Sequence, residues 1–556
     1  MGRPPSSGDS RASRDDGSLF VEAGRPPDPE RPRRGRATDR RWVPLAIALL
    51  PVPFIVLYFL VRVQSLFSPG YTPVDYALSI LLFACDLFFL MHTVTYLANF
   101  LRSTQSYERT IERYLTPYAG EAAVAILIAS FNEPPEVLER TISAAAIAGE
   151  YAGNYRLYLL DDSTDPAIQA ELEKLARQYR AKYIHRTDRR GFKAGAMNAV
   201  LPQLTEPYFT VLDADQRPLP EYLSETVPFL EADPKLALVQ VPQVYTNTDA
   251  SRLALAAHYV QLVFFDYITE GKSCTNSMFS CGSNTIFRTE AVRSVGGFYE
   301  KSVTEDMATS IKLHEAGWRS LYYNKPLVNG EGPATLSAYF TQQSRWSLGS
   351  IGLCLLLLGD FFRHPRKMRP VQWWDYFVTT TWYLVGWVNV IMLAGVLVFV
   401  FFSLTPIITL NDNYFTFLIP YIVFNLATFT LSTLYRGHEA KSVLYNLSLT
   451  YITTPIYVVS AVLALLKRRR PFKVTPKNFT GGKLPWRAFW TQLLMLGITV
   501  TGIATALAKL LLTGQWVYAL SLAWLSYYAF LLSFIFVYNT DARKSASYAR
   551  TLELSG

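Results

Sequence analysis

Residues 208–215 read Tyr-Phe-Thr-Val-Leu-Asp-Ala-Asp, an apolar run that stops at two carboxylates. Aromatic and β-branched residues over 208–212 predict a buried strand, and Asp213-Ala214-Asp215 then closes it. The pattern recurs on either side. Residues 123–129 (AVAILIA) run into Ser130-Phe131-Asn132-Glu133-Pro134, with a helix expected through Gly149. Residues 157–160 run into Asp161-Asp162-Ser163-Thr164-Asp165-Pro166, where Pro166 suits the first turn of the next helix. Residues 237–241 end at Pro242. Strand and helix alternating in this rhythm predict a Rossmann-like α/β domain, a mostly parallel sheet covered by helices. In such sheets ligands bind beyond the carboxyl ends of the strands, which is where these acids fall.

Outward from that block the chain becomes apolar. Of its 556 residues 50% are hydrophobic and 14% aromatic, too many for a soluble enzyme of this size. Runs at 42–61 and 76–98 precede the polar block, and runs at 376–402, 415–435, 488–512 and 516–538 follow it. Each is near the roughly 20 residues that cross a bilayer. Prolines 44, 51 and 53 should kink the first run, and no small-residue cleavage pattern after it marks a signal peptide. A further run at 443–466 holds Asn446, threonines and Pro455. If it crossed, Lys467 to Arg470 would face outside, so it is read as lying at the interface. Arg31, Arg33, Arg34, Arg36, Arg40 and Arg41 abut the first run, which places both termini and the polar block on the cytoplasmic side.

The expected organisation is a basic disordered tail (1–41), two spans (42–101), a cytosolic domain (102–368) with an interfacial helix at 335–358, and two spans (369–436). An interfacial helix with a loop (437–486), two more spans (487–538) and a short tail (539–556) complete it. The net charge of +9 is accounted for by topology and anionic lipid. No basic stripe interleaved with aromatics points to nucleic acid. Cys85, Cys274, Cys281 and Cys354 lack metal-ligand spacing, and disulfides are not expected of them.

Two carboxylates flanking one residue on an extended segment can hold Mg²⁺ or Mn²⁺ against a diphosphate, so Asp213 and Asp215 are the candidate metal pair. The cluster at 161–165 and Thr304-Glu305-Asp306 each precede a helix, where capping is the alternative use of such residues. The glycine-rich stretch 191–198, with Lys193, lacks the Gly-Lys-Ser/Thr of a phosphate-binding P-loop. Gln342, Arg345 and Trp346 fall at i, i+3 and i+4, so one helix face presents all three. Arg345 can fork onto a pyrophosphate, and Trp346 offers a flat face to a sugar ring.

Taken together, Gly296-Gly297-Phe298, Val303-Thr304-Glu305-Asp306, Leu313-His314, Gly317-Trp318 and Gln342-Gln343-Ser344-Arg345-Trp346 resemble the processive family 2 glycosyltransferases. That group holds cellulose, chitin and hyaluronan synthases. The resemblance implies a GT-A-type catalytic domain inserted in a helical membrane domain of about six spans plus interfacial helices. It implies that Asp306, in a motif with Glu305 and Thr304, is the general base. It implies nucleotide contacts from Asp161 or Asp162 and from Ser130, Asn132 and Glu133, with Lys193 at a phosphate. Phe279-Ser280-Cys281-Gly282-Ser283-Asn284 resembles the acceptor-end motif, with Cys281 and Gly282 near the terminal sugar. Phe472-Lys473-Val474-Thr475-Pro476-Lys477 fits the gating loop of cellulose synthase-like enzymes, where Phe472, Val474, Thr475 and Lys477 would close over the donor.

The implied partners are a UDP-sugar, UDP-glucose on the glucan-synthase branch, a growing polysaccharide, and the plasma-membrane bilayer; accessory export subunits are left open. Trp373, Trp374, Tyr383 and Trp387 are candidates to line a product channel, with interfacial anchoring as their alternative role. Gln216 and Gln243 stand where bacterial cellulose synthases often show His, which leaves the product open. Residues 539–556 are too few for a carboxyl-terminal PilZ domain, so sensing of cyclic-di-GMP in cis is not expected. A transferase to a lipid or short acceptor and a non-catalytic transporter or scaffold are the rival readings.

Overall fold

A computed structural model describes residues 42–114, 122–147, 151, 153–404, 407, 413–467 and 483–540. The tails and the gating-loop residues Phe472, Val474, Thr475 and Lys477 lie outside the described residues.

The polar block folds as a seven-stranded sheet of strands β1 (Val124–Ser130), β2 (Tyr155–Asp161), β3 (Lys182–His185), β4 (Tyr208–Asp213), β6 (Leu236–Gln240), β8 (Thr285–Arg288) and β9 (Arg319–Tyr322). Their order is β3-β2-β1-β4-β8-β6-β9. The pairs among β3, β2, β1 and β4 are parallel, as is β6 with β9, while β8 runs antiparallel to both of its neighbours. The four strands expected from the sequence are present. β3, β8 and β9 were missed because each is only four residues long and carries a charged or titratable end. Short strands β5 (Arg217–Pro218), β7 (Val244–Tyr245) and β10 (Val328–Gly330) form a second sheet in the order β5-β10-β7.

Side chains of β1 alternate between two cores. Val124, Ile126 and Ile128 pack with Leu138 and Ile142 of helix Pro135–Ala146 and with Leu172 of helix Pro166–Gln178. Ala125 and Leu127 pack on the other face with Met197 and Val200 of helix Phe192–Val200. A strand covered on both faces must be apolar throughout, which is why its sequence does not alternate.

Among the described residues, eight helices are long and apolar enough to cross a membrane. Six match the spans expected from the sequence: Trp42–Ser65, Pro73–Gln105, Pro370–Phe402, Thr416–Tyr435, Trp486–Thr513 and Val517–Thr540. The chain is a membrane protein. The first of these breaks at Pro51 into Trp42–Leu49 and Val52–Ser65, the kink expected from its prolines. The third breaks at Trp382–Leu384 before Val385–Phe402.

The other two, Leu336–Arg363 and Lys441–Leu465, are the segments the sequence reads as interfacial. They pack along each other, and Lys441–Leu465 is the most enclosed of the eight, with 56% of its apolar window buried. Several of its polar residues are paired across helices: Asn389 donates to Thr454 at 3.1 Å, Tyr457 donates to Gln343 at 2.8 Å, and Ser448 shares a 2.7 Å bond with Tyr538. A helix with polar contacts to several neighbours needs no uniformly apolar surface, which explains the Thr-rich sequence.

Candidate active site

A cavity of about 250 Å³ lies beyond the carboxyl ends of β1 and β4, roofed by helix Leu336–Arg363. Its wall draws on stretches far apart in the sequence: Ser130 and Glu133, Asp162, Lys193, Asp213 and Asp215, Cys281 and Gly282, Thr304 to Asp306, and Gln342, Arg345 and Trp346. Of the expected site residues within the described chain, Asn132 and Asp161 do not line it. Asn132, in a left-handed conformation, holds the next loop instead. Its Oδ1 accepts from the Thr164 N–H at 2.8 Å and its Nδ2 donates to Thr164 Oγ1 at 3.0 Å.

Asp161 is fully enclosed and accepts from the Ser163 N–H (2.9 Å) and the Tyr183 hydroxyl (2.8 Å), with His185 Nδ1 at 3.2 Å. Asp162 receives a two-pronged contact from Arg186, at 2.8 and 2.5 Å. Capping of the helix that follows falls to Asp165, which accepts from the Ala167 N–H at 2.9 Å. Ser130 Oγ is buried and has no hydrogen-bond partner among the described residues, which leaves it available to a ligand. Arg189 lies over the Phe131 ring at 3.5 Å on the same rim, a cation–π contact the sequence did not reveal.

Asp213 and Asp215 present hard oxygen donors to the cavity. Among the described residues no group of three or more His, Cys, Asp or Glu could hold a metal alone, so an ion here would complete its shell from phosphate and water. Lys193 bridges this pair to the opposite wall, donating to Asp213 Oδ1 and to the Gly282 carbonyl, each at 2.5 Å. Gly282 has φ +87°, and a Cβ there would sit 3.0 Å from Asp306 Oδ2, so both backbone and space call for glycine.

Asp306 lies in the first turn of helix Glu305–Glu315, and its Oδ1 accepts from the Met307 N–H at 2.8 Å. Thr304 occupies the N-cap position without a capping side-chain bond, its hydroxyl paired with Ser302 at 3.0 Å. Burial pushes the Asp306 carboxyl up to about 7, and the adjacent Glu305 acts in the same direction; the Met307 amide, Lys193 and Arg345 pull against it. Glu305 is raised as well, again chiefly by burial. Gly349 brings helix Leu336–Arg363 onto this motif, since a Cβ there would lie 2.5 Å from Thr304 Cγ2. Cys281 is half-buried on the cavity wall, and desolvation, with the nearby Asp306 as a lesser cause, holds its thiol well above its ordinary range.

The Glycosyl transferase family group 2 description matches residues 208–466. This chain carries a family 2 glycosyltransferase domain. "Cellulose synthase 2" of Novacetimonas hansenii is 25% identical over 415 residues, 73% of this chain and 25% of that one. "Probable glucomannan 4-beta-mannosyltransferase 7" of Oryza sativa subsp. japonica is 35% identical over 243 residues, 41% of each chain. A mannosyltransferase from Pyrobaculum calidifontis, solved with GDP-Man and Mn²⁺, aligns with TM-score 0.45 and 15% identity over 69% of this chain and 99% of its own. The chain spans about a quarter of the length of the first of these relatives.

Of the aromatics considered for a channel, Trp373 is buried, donates to the Pro365 carbonyl at 2.9 Å and packs on Phe361. Those contacts make it an anchor of helix Pro370–Thr381. Trp374 and Trp387 are partly exposed, Trp374 donating to Thr95 at 2.9 Å. Tyr383 stands edge-on to Tyr457 with ring centres 5.2 Å apart.

Proposed function

We propose that this cellulose synthase-like glycosyltransferase is a processive inverting enzyme that polymerises UDP-glucose into a β-glucan and moves the product across its membrane. One observation carries the reading. Asp213, Asp215, Asp306, Arg345 and Trp346, from three distant segments, meet in one cavity, and its roof is a helix packed among those able to span a bilayer.

In this reading Asp306 takes the proton from the acceptor hydroxyl as its oxygen attacks the anomeric carbon from the face opposite the phosphate. The bond from that carbon to the diphosphate breaks, its electron pair leaves with UDP, and the configuration inverts. A carboxyl held near neutral suits a base working at that pH. Asp213 and Asp215 would hold the Mg²⁺ or Mn²⁺, which supplies neutralising charge to the diphosphate. Arg345 and Gln342 face the departing phosphate, and Lys193 exchanges its present partners for phosphate oxygen. Trp346, Cys281 and Gly282 flank the acceptor sugar, and Ser130, Glu133 and Asp162 serve the nucleotide, with Asn132 and the enclosed Asp161 bracing their loops. Thr304 and Glu305 support the base, and the loop bearing Phe472, Val474, Thr475 and Lys477 closes over the donor. The catalytic domain and both termini face the cytoplasm, with about six spans forming the channel.

Purified protein in lipid nanodiscs, given radiolabelled UDP-glucose with Mg²⁺ or Mn²⁺, should release UDP and yield a long product cut by a linkage-specific β-glucanase. A single sugar on lipid would defeat processivity, and absence of UDP release with every nucleotide sugar would defeat the transferase. The 35% identity with the glucomannan mannosyltransferase favours a second reading, a mannosyl donor, which the same assay decides by which donor is consumed.

A further inference from the structure

Gln240 ends β6 with its side chain fully buried, behind the cavity wall and outside its lining. Its Nε2 donates to the carbonyls of Val241 (2.7 Å), Ser283 (2.9 Å) and Asn284 (3.0 Å). Its Oε1 accepts from the Cys281 N–H (2.8 Å) and the Thr285 hydroxyl (2.5 Å). One amide therefore grips four residues of the 281–285 turn, and a fully satisfied buried group of this kind specifies a single geometry.

That turn touches both acidic motifs. Ser283 Oγ accepts from the Asp213 N–H at 2.9 Å, and Asn284 Nδ2 donates at 3.0 Å to Gln216, which directly follows Asp215. Gly282 binds Lys193 through its carbonyl and lies close against Asp306, so that a Cβ there would stand 3.0 Å from Asp306 Oδ2. The turn is thus the spacer between the strand-end acids and Asp306, and whatever sets the turn sets their separation.

We propose that Gln240 is a positioning residue that fixes this separation, and so the alignment of donor with base, without touching either. The inference rests on the transferase reading. No other side chain of similar size reproduces the grip: Met removes every bond, and Glu turns a carboxylate toward three carbonyls.

The test uses full-length protein in nanodiscs, with turnover expressed per UDP-binding site so that unfolded protein does not count. In Gln240→Met, turnover per site should fall about 100-fold, the scale of an ångström's misplacement, while the Kd for UDP stays within about threefold. Thr285→Val removes one of the five bonds and should lower turnover per site by about five- to tenfold in the same way. It serves where Gln240→Met does not fold. Exchange of backbone amides in peptide 279–285 should quicken in both variants while β1 and β2 stay protected. Turnover per site within twofold of wild type in the folded variants would overturn the proposal, as would unchanged exchange at 279–285. Should the wild-type protein transfer no sugar, the transferase reading fails by itself, and the exchange result still decides whether Gln240 governs the turn.

Discussion

Asp161-Asp162 and Glu305-Asp306 look alike in sequence, two acids standing just ahead of a helix. Their surroundings divide them. The first pair is saturated: a hydroxyl, a backbone amide and a histidine on Asp161, and a guanidinium fork on Asp162. In the second, burial and mutual repulsion outweigh Lys193, Arg345 and a backbone amide, and the Asp306 carboxyl is held near neutral. An acid whose oxygens are all taken by protein donors serves as a structural brace. An acid left short of such partners is ready to take a proton. The same residue type thus braces a loop at one edge of the cavity and is available for proton transfer at another.

The largest expected effect breaks the reactive pair. Asp306→Asn keeps the shape and removes the base, so sugar transfer should fall by about 10³-fold while UDP binding, measured by calorimetry, is retained. Near-normal transfer would remove Asp306 from the role.

The saturated pair should fail differently. Arg186→Met strips Asp162 of its fork and leaves a buried carboxylate, which should cost about 3 kcal/mol of stability in a denaturant titration of the purified protein. A silent Arg186→Met would mean the first pair is not structural, and the contrast would dissolve. A smaller effect is expected where the roof meets the reactive pair. Gly349→Ala puts a methyl where Thr304 Cγ2 stands 2.5 Å away, so either the helix or the Thr304 side chain must shift. Turnover should drop about tenfold at unchanged unfolding midpoint.

Much of this was legible in the chain itself. Asp161-Asp162 and Asp213-Asp215 announced themselves because each pair terminates an apolar run, and the carboxyl ends of parallel strands converge. What distinguishes one acid pair from the other was not legible. Tyr183, His185 and Arg186 reach Asp161-Asp162 from β3 and the residue after it, an edge strand too short and polar to show a pattern. Gly349 reads in sequence as a weak helix former, yet it is the point of contact between the roof and the motif at Thr304. Gln240 looks like the polar end of a strand, and its five bonds are visible only once the 281–285 turn folds back on it. Local pattern reveals which groups exist; long-range packing decides what each one is paired with.

The subtlest prediction follows from the repulsion within the reactive pair. A base works only when ionised, so transfer should rise with pH through the Asp306 midpoint at about 7. Burial is the larger cause of that elevation and Glu305 the second. Glu305→Gln removes the neighbouring negative charge and leaves the burial in place. The ionised form of Asp306 then costs less, its midpoint falls, and the acid limb of the pH–turnover curve should move about one unit lower without vanishing. An unmoved limb would assign it to a group other than Asp306. A shift all the way to the ordinary carboxylate range would mean that repulsion by Glu305, and not burial, is the main cause of the elevation at Asp306.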